Sequence, residues 1–327
     1  MKYRRIGNSG LQVSEIGLGT WLTFDGTSKD YDKNNALNTI RYAYEHGINY
    51  FDTANFYGLG HAERVLGEAL AKYDRTSYVI GSKVYFPMGE KPNQSGLSRK
   101  HIMEQCDRSL KRLNVDYIDL YQCHRFDKNS PVEETLQAMD DLVSQGKILY
   151  YGISEWNADQ IKEGLSTVDR LGLRKMISNQ PIYNMLVRQM ENDIVPASKE
   201  GGLGQLVFSP LAQGVLTGSY TSAEELPEDS RLRKTDNDSA SLYFKEDIFE
   251  AIRELKKVAV RENCSLTQLA LSWILLNDQV SSVIMGAENQ DQIAENIKAS
   301  EMEWSSVLIE EVNSILDKIN FTWPLFD

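Results

Sequence analysis

Asp52, Tyr57, Lys83 and His124 are the residues of this chain whose types combine into acid–base chemistry. Asp52 ends the run Ile48-Asn49-Tyr50-Phe51; a short polar turn follows, then Tyr57, with glycines at Gly58 and Gly60 before the next helical pattern. A phenol has an ordinary pKa of about 10, too high to release a proton readily near neutrality. An ammonium such as that of Lys83 would lower it by stabilising the phenolate, and a carboxylate such as Asp52 would keep that ammonium charged and in place. A neutral imidazole, His124, can hydrogen-bond a substrate oxygen and orient it. Each residue also has a plainer reading on its own. Asp52 could cap a helix or turn, Lys83 could be a rim lysine, His124 a satisfied rim histidine and Tyr57 a loop aromatic. The set carries chemistry only if a fold delivers all four to one place.

The chain supplies such a fold as alternating short apolar runs and helical periods. Tyr3–Ile6 and Leu11–Val13 flank the turn Gly7-Asn8-Ser9-Gly10 and predict an opening hairpin. Strands are expected at 16–21, 48–52, 78–83, 117–124, 148–154, 176–180, 206–209 and 280–285. Helices are expected between and after them: about 35–44 closed by Gly47, 62–72, 99–113 begun by Ser98, 131–144 opened by Pro131, 158–171, and a short one through Pro196 to Gly201-Gly202. Further helices are expected over 245–262, 266–277, 290–298 and 305–319. The segment from Pro210 to about Ser241 is too long and irregular for an ordinary connection, and such loops often serve as lids.

Repeated strand–helix units demand a parallel sheet with helices outside it. An open doubly wound sheet competes, but no G-x-G-x-x-G follows any strand. Eight units favour closure. The expected fold is α/β: a single (β/α)8 (TIM) barrel over residues 1–327, with an N-terminal β-hairpin plugging one end, a long loop after the seventh strand and an extra C-terminal helix. Strand C-termini then converge on one face, bringing Asp52, Lys83 and His124 to one rim with Tyr57 in the loop beside them. Three consecutive strands delivering such groups to one rim is costly unless the groups pair. The chemistry that suits them is proton donation to a carbonyl oxygen. No protein side chain donates hydride, so a reduction would need a nicotinamide.

Composition narrows the classes. The chain has 327 residues, 41% hydrophobic and 25% charged, as for an ordinary globular protein. A net charge of −12 argues against a nucleic-acid or anionic-membrane partner, which would need a basic face. No apolar run approaches the ~18 residues of a membrane span, and the N-terminus does not read as a signal peptide. Cys106, Cys123 and Cys264 are scattered without ligand spacing, so no metal site is expected; free thiols in a reducing cytoplasm are the reading.

Longer motifs run through the chain in order. They include Ile16-Gly17-Leu18-Gly19-Thr20-Trp21, Phe51-Asp52-Thr53-Ala54-x-x-Tyr57-Gly58 and the Lys83 strand. Ser109-Leu110-x-Arg112-Leu113-x-x-Asp116-Tyr117-Ile118-Asp119-Leu120, Gly152-Ile153-Ser154 and Ser209-Pro210-Leu211-Ala212 continue the series. By these the chain resembles the aldo-keto reductase superfamily, and within it bacterial members similar to the potassium-channel beta subunits. The resemblance implies reduction of a small-molecule aldehyde or ketone with NADP(H), or less often NAD(H). It implies Tyr57 as proton donor, Lys83 and Asp52 as its tuning pair, and His124 as the group that orients substrate. For the cofactor it implies Thr20 and Trp21 near the first strand end, Asp52 below, and Ser154, Asn179 and Gln180 at the nicotinamide carboxamide. Phe208 would stack on the nicotinamide, and Ser209, Pro210, Leu211, Ala212, Gln213 and Gly214 would follow the pyrophosphate. Gly286, Glu288, Gln292, Glu295 and Asn296 would meet the adenosine end.

Two positions depart from the family pattern. Ser219 stands where relatives place a loop lysine, and Glu288 where they often carry Ser, Arg or Lys near the 2′-phosphate. Both pull towards NAD(H), with Arg231 left to supply one positive charge; NADP(H) is still the expected cofactor. Tyr85, Phe86, Arg125, Phe126 and Trp156 follow strands and could shape the substrate pocket, Arg125 by favouring an anion. Two other functions compete: a cofactor-binding redox sensor or regulatory subunit with little turnover, and a barrel aldolase using Lys83 as a Schiff base.

Overall fold

The computed structural model describes residues 1–220, 222 and 240–324. The chain opens with an antiparallel hairpin, β1 (Tyr3–Arg5) and β2 (Gln12–Ser14). Eight parallel strands follow: β3 (Ile16–Gly19), β4 (Tyr50–Asp52), β5 (Val79–Val84), β6 (Ile118–Cys123), β7 (Ile148–Ser154), β8 (Ser178–Gln180), β9 (Gly204–Val207) and β10 (Val280–Met285). They close in the order β10-β3-β4-β5-β6-β7-β8-β9, so the expected (β/α)8 barrel and its hairpin are both present. Among the described residues the α-helices are α1 (Lys33–Glu45), α2 (His61–Leu70), α3 (Arg99–Leu113), α4 (Val132–Ser144), α5 (Ala158–Leu171) and α6 (Ile194–Gly201), then α7 (Glu246–Arg261), α8 (Leu266–Ile274), α9 (Gln290–Asn296) and α10 (Ser306–Leu316).

Local chemistry sets many of these bounds. Ser98 Oγ accepts the His101 N–H at the start of α3, and Asn114, in the left-handed region at φ 55°, ends it. Asn157 with Gln160 and Ser265 with Gln268 form reciprocal caps that start α5 and α8. The expected strand over 206–209 stops at Val207, because Ser209 adopts φ 53° and turns the chain out of the ladder; Phe208 keeps one bridge to Ile182. The first barrel strand likewise ends at Gly19 rather than Trp21, and Leu22 turns with φ 62°. Of the expected long loop after β9, the described residues include short helical turns at Ala212–Thr217 and Ser241–Tyr243, and the stretch 223–239 lies outside the described residues.

The hairpin closes the N-terminal end of the barrel. Ile6 and Val13 join Val79, Leu120, Ile177 and Leu206 in one apolar cluster. Arg4 ties the plug in place, donating to Glu15 at 2.7 Å and to the carbonyls of Val280 and Leu275 at 2.9 and 2.8 Å. At Gly7, φ +51°, a Cβ would lie 2.2 Å from the Gly202 carbonyl oxygen, so no larger residue fits the contact. A second, larger core lies between strands and helices. Among the described residues no helix is long and apolar enough to cross a membrane, and no cluster of His, Cys, Asp or Glu is placed to hold a metal ion.

Motif residues that do not line the cavity have structural work. Arg112 donates to the buried Glu63 at 2.5 Å and to Ser109 at 3.1 Å. Asp119 accepts from Arg75 at 2.5 Å and from the Ile80 N–H at 2.8 Å, tying β6 to β5 and to the short turn before it. Cys106, Cys123 and Cys264 are free thiols, and burial pushes those of Cys106 and Cys123 up to about 12.

Candidate active site

Strand alternation builds the site floor. Side chains one residue apart face opposite ways, so those in register around the barrel form layers across its interior. Gly19 pairs with Asp52, Lys83 with Gln122 and Ser154 with Gln180 in the ladders. Just below, Tyr50 fills the barrel; Cβ atoms at Gly17 and Gly81 would come within 2.8 and 2.7 Å of its ring and hydroxyl. Tyr50 Oη donates to Asp52 Oδ1 at 3.3 Å, and Gln180 Nε2 donates to the same oxygen at 2.9 Å. A phenol on β4 and an amide on β8 therefore fix the carboxylate.

Lys83 is fully buried, where an unpaired ammonium would be prohibitive. All three of its protons find acceptors: Asp52 Oδ2 at 2.5 Å, the Thr53 carbonyl at 2.9 Å and Tyr57 Oη at 3.2 Å. Burial acts to discharge Lys83, but the facing Asp52 carboxylate and Tyr57 outweigh it and raise its pKa. An amine so held is charged and has no lone pair for attack on a carbonyl carbon. That geometry disfavours the Schiff-base aldolase.

Tyr57 opens a short turn, Tyr57–Gly60, directly before α2, and its ring is partly exposed to the cavity. Its pKa is raised: burial dominates, and the pull of Lys83 offsets only part of it. The sequence suggested the opposite balance, with the ammonium lowering the phenol. The difference arises first from burial, to which the Asp52 carboxylate adds, so that the lowering by Lys83 is outweighed. The phenol therefore remains protonated at neutral pH. His124, at the end of β6, lies edge-on to Tyr57 with ring centroids 5.7 Å apart. Burial, with Lys83 and Arg125 nearby, holds its pKa well below 6.5, so the imidazole is neutral. Its Nδ1 is buried without a hydrogen-bond partner.

Asp52, Tyr57 and His124 border a cavity of about 600 Å³. It extends from Trp21, Tyr57, Phe86, His124 and Arg125, past Ser154, Gln180 and Phe208, to Gly286, Glu288, Gln292, Glu295 and Asn296. Ser209, Pro210, Leu211, Gln213 and Gly214 line its side. Thr20, Asn179 and Ala212 lie in the wall without lining the cavity. For Asn179 the reason is alternation: its neighbours Ser178 and Gln180 point inward to Gln122 and Asp52, so its own side chain points away. Tyr85, Phe126 and Trp156 pack against the core instead, whereas Phe86 and Arg125 face the cavity. Arg231 lies outside the described residues. Thr23, Phe56, Thr217, Tyr220 and Thr267 line the cavity without having been singled out. So do Gly19 and Ile284, which the period of two along β3 and β10 marks as inward-facing.

The stretch 209–214 is unusual backbone. Ser209, Ala212 and Gln213 take φ of 53°, 48° and 59°, and Gly214 takes 98°. Left-handed conformations cost non-glycine residues, and runs of them beside a cavity commonly mark a ligand loop. Gln213 Nε2 donates to Ser209 at 3.0 Å, while its Oε1 is buried without a partner. At the far end Gln292, Glu295 and Asn296 share one side of α9, and Gln292 Oε1 accepts the Glu288 N–H at 2.8 Å.

Comparison with known proteins agrees with this geometry. Residues 15–317 match the model of the Aldo/keto reductase family. The chain is 40% identical over 303 residues to a probable voltage-gated potassium channel subunit beta of Arabidopsis thaliana, covering 91% of each chain. It is 40% identical over 328 residues to a putative voltage-gated potassium channel subunit beta of Schizosaccharomyces pombe, covering 98% of this chain and 94% of that one. A probable subunit of the same name from Oryza sativa subsp. japonica is 41% identical over 303 residues, again 91% of each. The chain belongs to the aldo/keto reductase family.

Proposed function

We propose that the protein reduces an aldehyde or ketone to an alcohol, using NADP(H), with Tyr57 as the proton donor. The observation that carries this reading is the chain Asp52–Lys83–Tyr57, a buried ion pair whose ammonium donates to a phenol facing the cavity. The residues present fit a dinucleotide. The left-handed run at 209–214 resembles the concavities of backbone N–H groups that hold phosphates, and the unpartnered Gln213 Oε1 is left to accept from a donor such as a ribose hydroxyl. Gln292, Glu295 and Asn296 would meet the base, and Ser154 and Gln180 the carboxamide. A reduced nicotinamide, when bound, supplies the hydride.

The protein's own part is acid catalysis and placement. His124, neutral and edge-on to Tyr57, orients the carbonyl oxygen. As the carbonyl carbon gains hydride, the C=O π pair moves to oxygen. That oxygen takes the proton from Tyr57 Oη, leaving a phenolate that Lys83 stabilises at hydrogen-bond range. Asp52 keeps Lys83 charged through the step. Such positioned proton transfer contributes roughly 10²–10⁴-fold in rate.

A second reading takes its support from the relatives' names: a cofactor-binding subunit that associates with a channel and turns over little. Titration with NADPH and NADH, followed by addition of a reactive aromatic aldehyde, separates the two. Oxidation of the bound nucleotide on adding aldehyde supports the reductase, and the preferred nucleotide emerges from the same titration. Tight binding without oxidation would replace it with the regulatory reading.

A further inference from the structure

Among the described residues, Asp52, Arg125, Glu288 and Glu295 are the side chains lining the cavity that carry formal charge at neutral pH. Asp52 is paired with Lys83, and Glu288 and Glu295 lie at the far end. Arg125 is the one cation. It is half-buried, its guanidinium carbon sits 5.4 Å from the centre of the Phe86 ring, and Nη1 donates to the His124 carbonyl at 2.5 Å. No carboxylate of the described residues comes within 4.0 Å of it. Glu155 is near enough to feel its charge, but that carboxylate is engaged by the Ile182 N–H at 2.7 Å and does not line the cavity. A guanidinium carries five N–H donors in a planar fork matched to a carboxylate, and here a single one is used.

Its place on the barrel says what the fork can meet. Arg125 lies two residues beyond β6, which stands four strands from β10 in a ring of eight, diametrically opposite. The 286–296 end follows β10 and the 209–214 loop follows β9, so Arg125 stands across the cavity from the loops assigned above to the adenosine and phosphates. Phe86, Phe56, Trp21 and Tyr57 surround the same end with flat apolar faces. We infer that Arg125 anchors an anionic group of the substrate, so that the carbonyl compound reduced beside Tyr57 is a carboxylate-bearing aldehyde or ketone with a flat apolar body. This inference rests on the reductase reading for the reaction but not for the binding.

The test compares 4-carboxybenzaldehyde with its neutral methyl ester, two substrates with the same reacting group. The wild type should favour the acid in kcat/KM by about 10- to 100-fold, the range of a charge-assisted hydrogen bond. Arg125→Met, which keeps an unbranched side chain without the charge, should abolish that ratio, and Arg125→Lys should restore part of it. Equal use of acid and ester by the wild type, or a ratio that survives Arg125→Met, would overturn the inference while leaving the reductase intact. A binding arm needs no turnover: 4-(hydroxymethyl)benzoate and its methyl ester are titrated into the protein and followed by tryptophan fluorescence. Selective binding of the benzoate that is lost in Arg125→Met, with neither aldehyde reduced, would uphold the anion site and sink the reductase. Failure of the wild type to prefer the benzoate would overturn the anion site by itself.

Discussion

The two ends of this barrel are built from the same strands and solve opposite problems. At the N-terminal end Ile6 and Val13 of the hairpin meet Val79, Leu120, Ile177 and Leu206, and the strand interior is closed by apolar packing. At the C-terminal end stand Asp52, His124, Ser154 and Gln180 around a cavity of about 600 Å³, with Lys83 buried behind Asp52. One end gains stability by removing apolar surface from water. The other holds a desolvated ion pair, which stabilises little by itself and is tolerable only while every proton and lone pair is matched. The difference teaches where to expect tolerance: a truncation at the plug weakens the fold and spares chemistry, while a change at the rim couples the two.

The largest effect should come from breaking the rim pair. Lys83→Met leaves the Asp52 carboxylate buried and unpaired, and should cost about 3–5 kcal/mol in denaturant unfolding. Adding Asp52→Asn should recover much of that stability without recovering turnover. A double variant no more stable than Lys83→Met would show that the pair is not the source of the loss. At the plug, Leu206→Ala should cost about 2–5 kcal/mol, with kcat of the folded fraction unchanged. A marked fall in kcat there would mean that the two ends are not separable.

The smallest effect is a pH dependence at His124. Its folded pKa is depressed below 6.5, so on unfolding in mild acid the imidazole takes up a proton that the folded state does not hold. Its contribution is complete above about pH 6.5 and declines as pH falls through that value towards the folded pKa. Stability measured from pH 5 to 7 should rise less steeply in His124→Asn than in the wild type. Equal slopes would mean that His124 is not held neutral.

Much of this arrangement was legible in the sequence because local signals agreed with the global one. The bounds of α3, α5, β7 and β10 follow from caps, glycines and hydrophobic period, and are as expected. Barrel closure followed from the number of strand–helix units. What escaped depended on three-dimensional balances. The end of β9 is set by the left-handed turn at Ser209, a conformation that its residue type does not advertise. Asn179 stands beside Gln180 in sequence and away from it in space, a distinction that strand alternation makes but family position obscures. The protonation of Tyr57 turns on burial against a shared ammonium, and neither quantity is written in residue types. Arg112 and Asp119, conspicuous in a motif, hold helices and strands together and do not line the cavity.

The central claim is that Tyr57 is the acid and Lys83 its partner. The most direct measurement is the aldehyde-dependent turnover of Tyr57→Phe beside its affinity for NADPH, with thermal unfolding as a check on the fold. Turnover should fall about 10²–10⁴-fold while nucleotide affinity stays near the wild-type value. Turnover retained, or turnover and affinity lost in equal measure, would contradict the account.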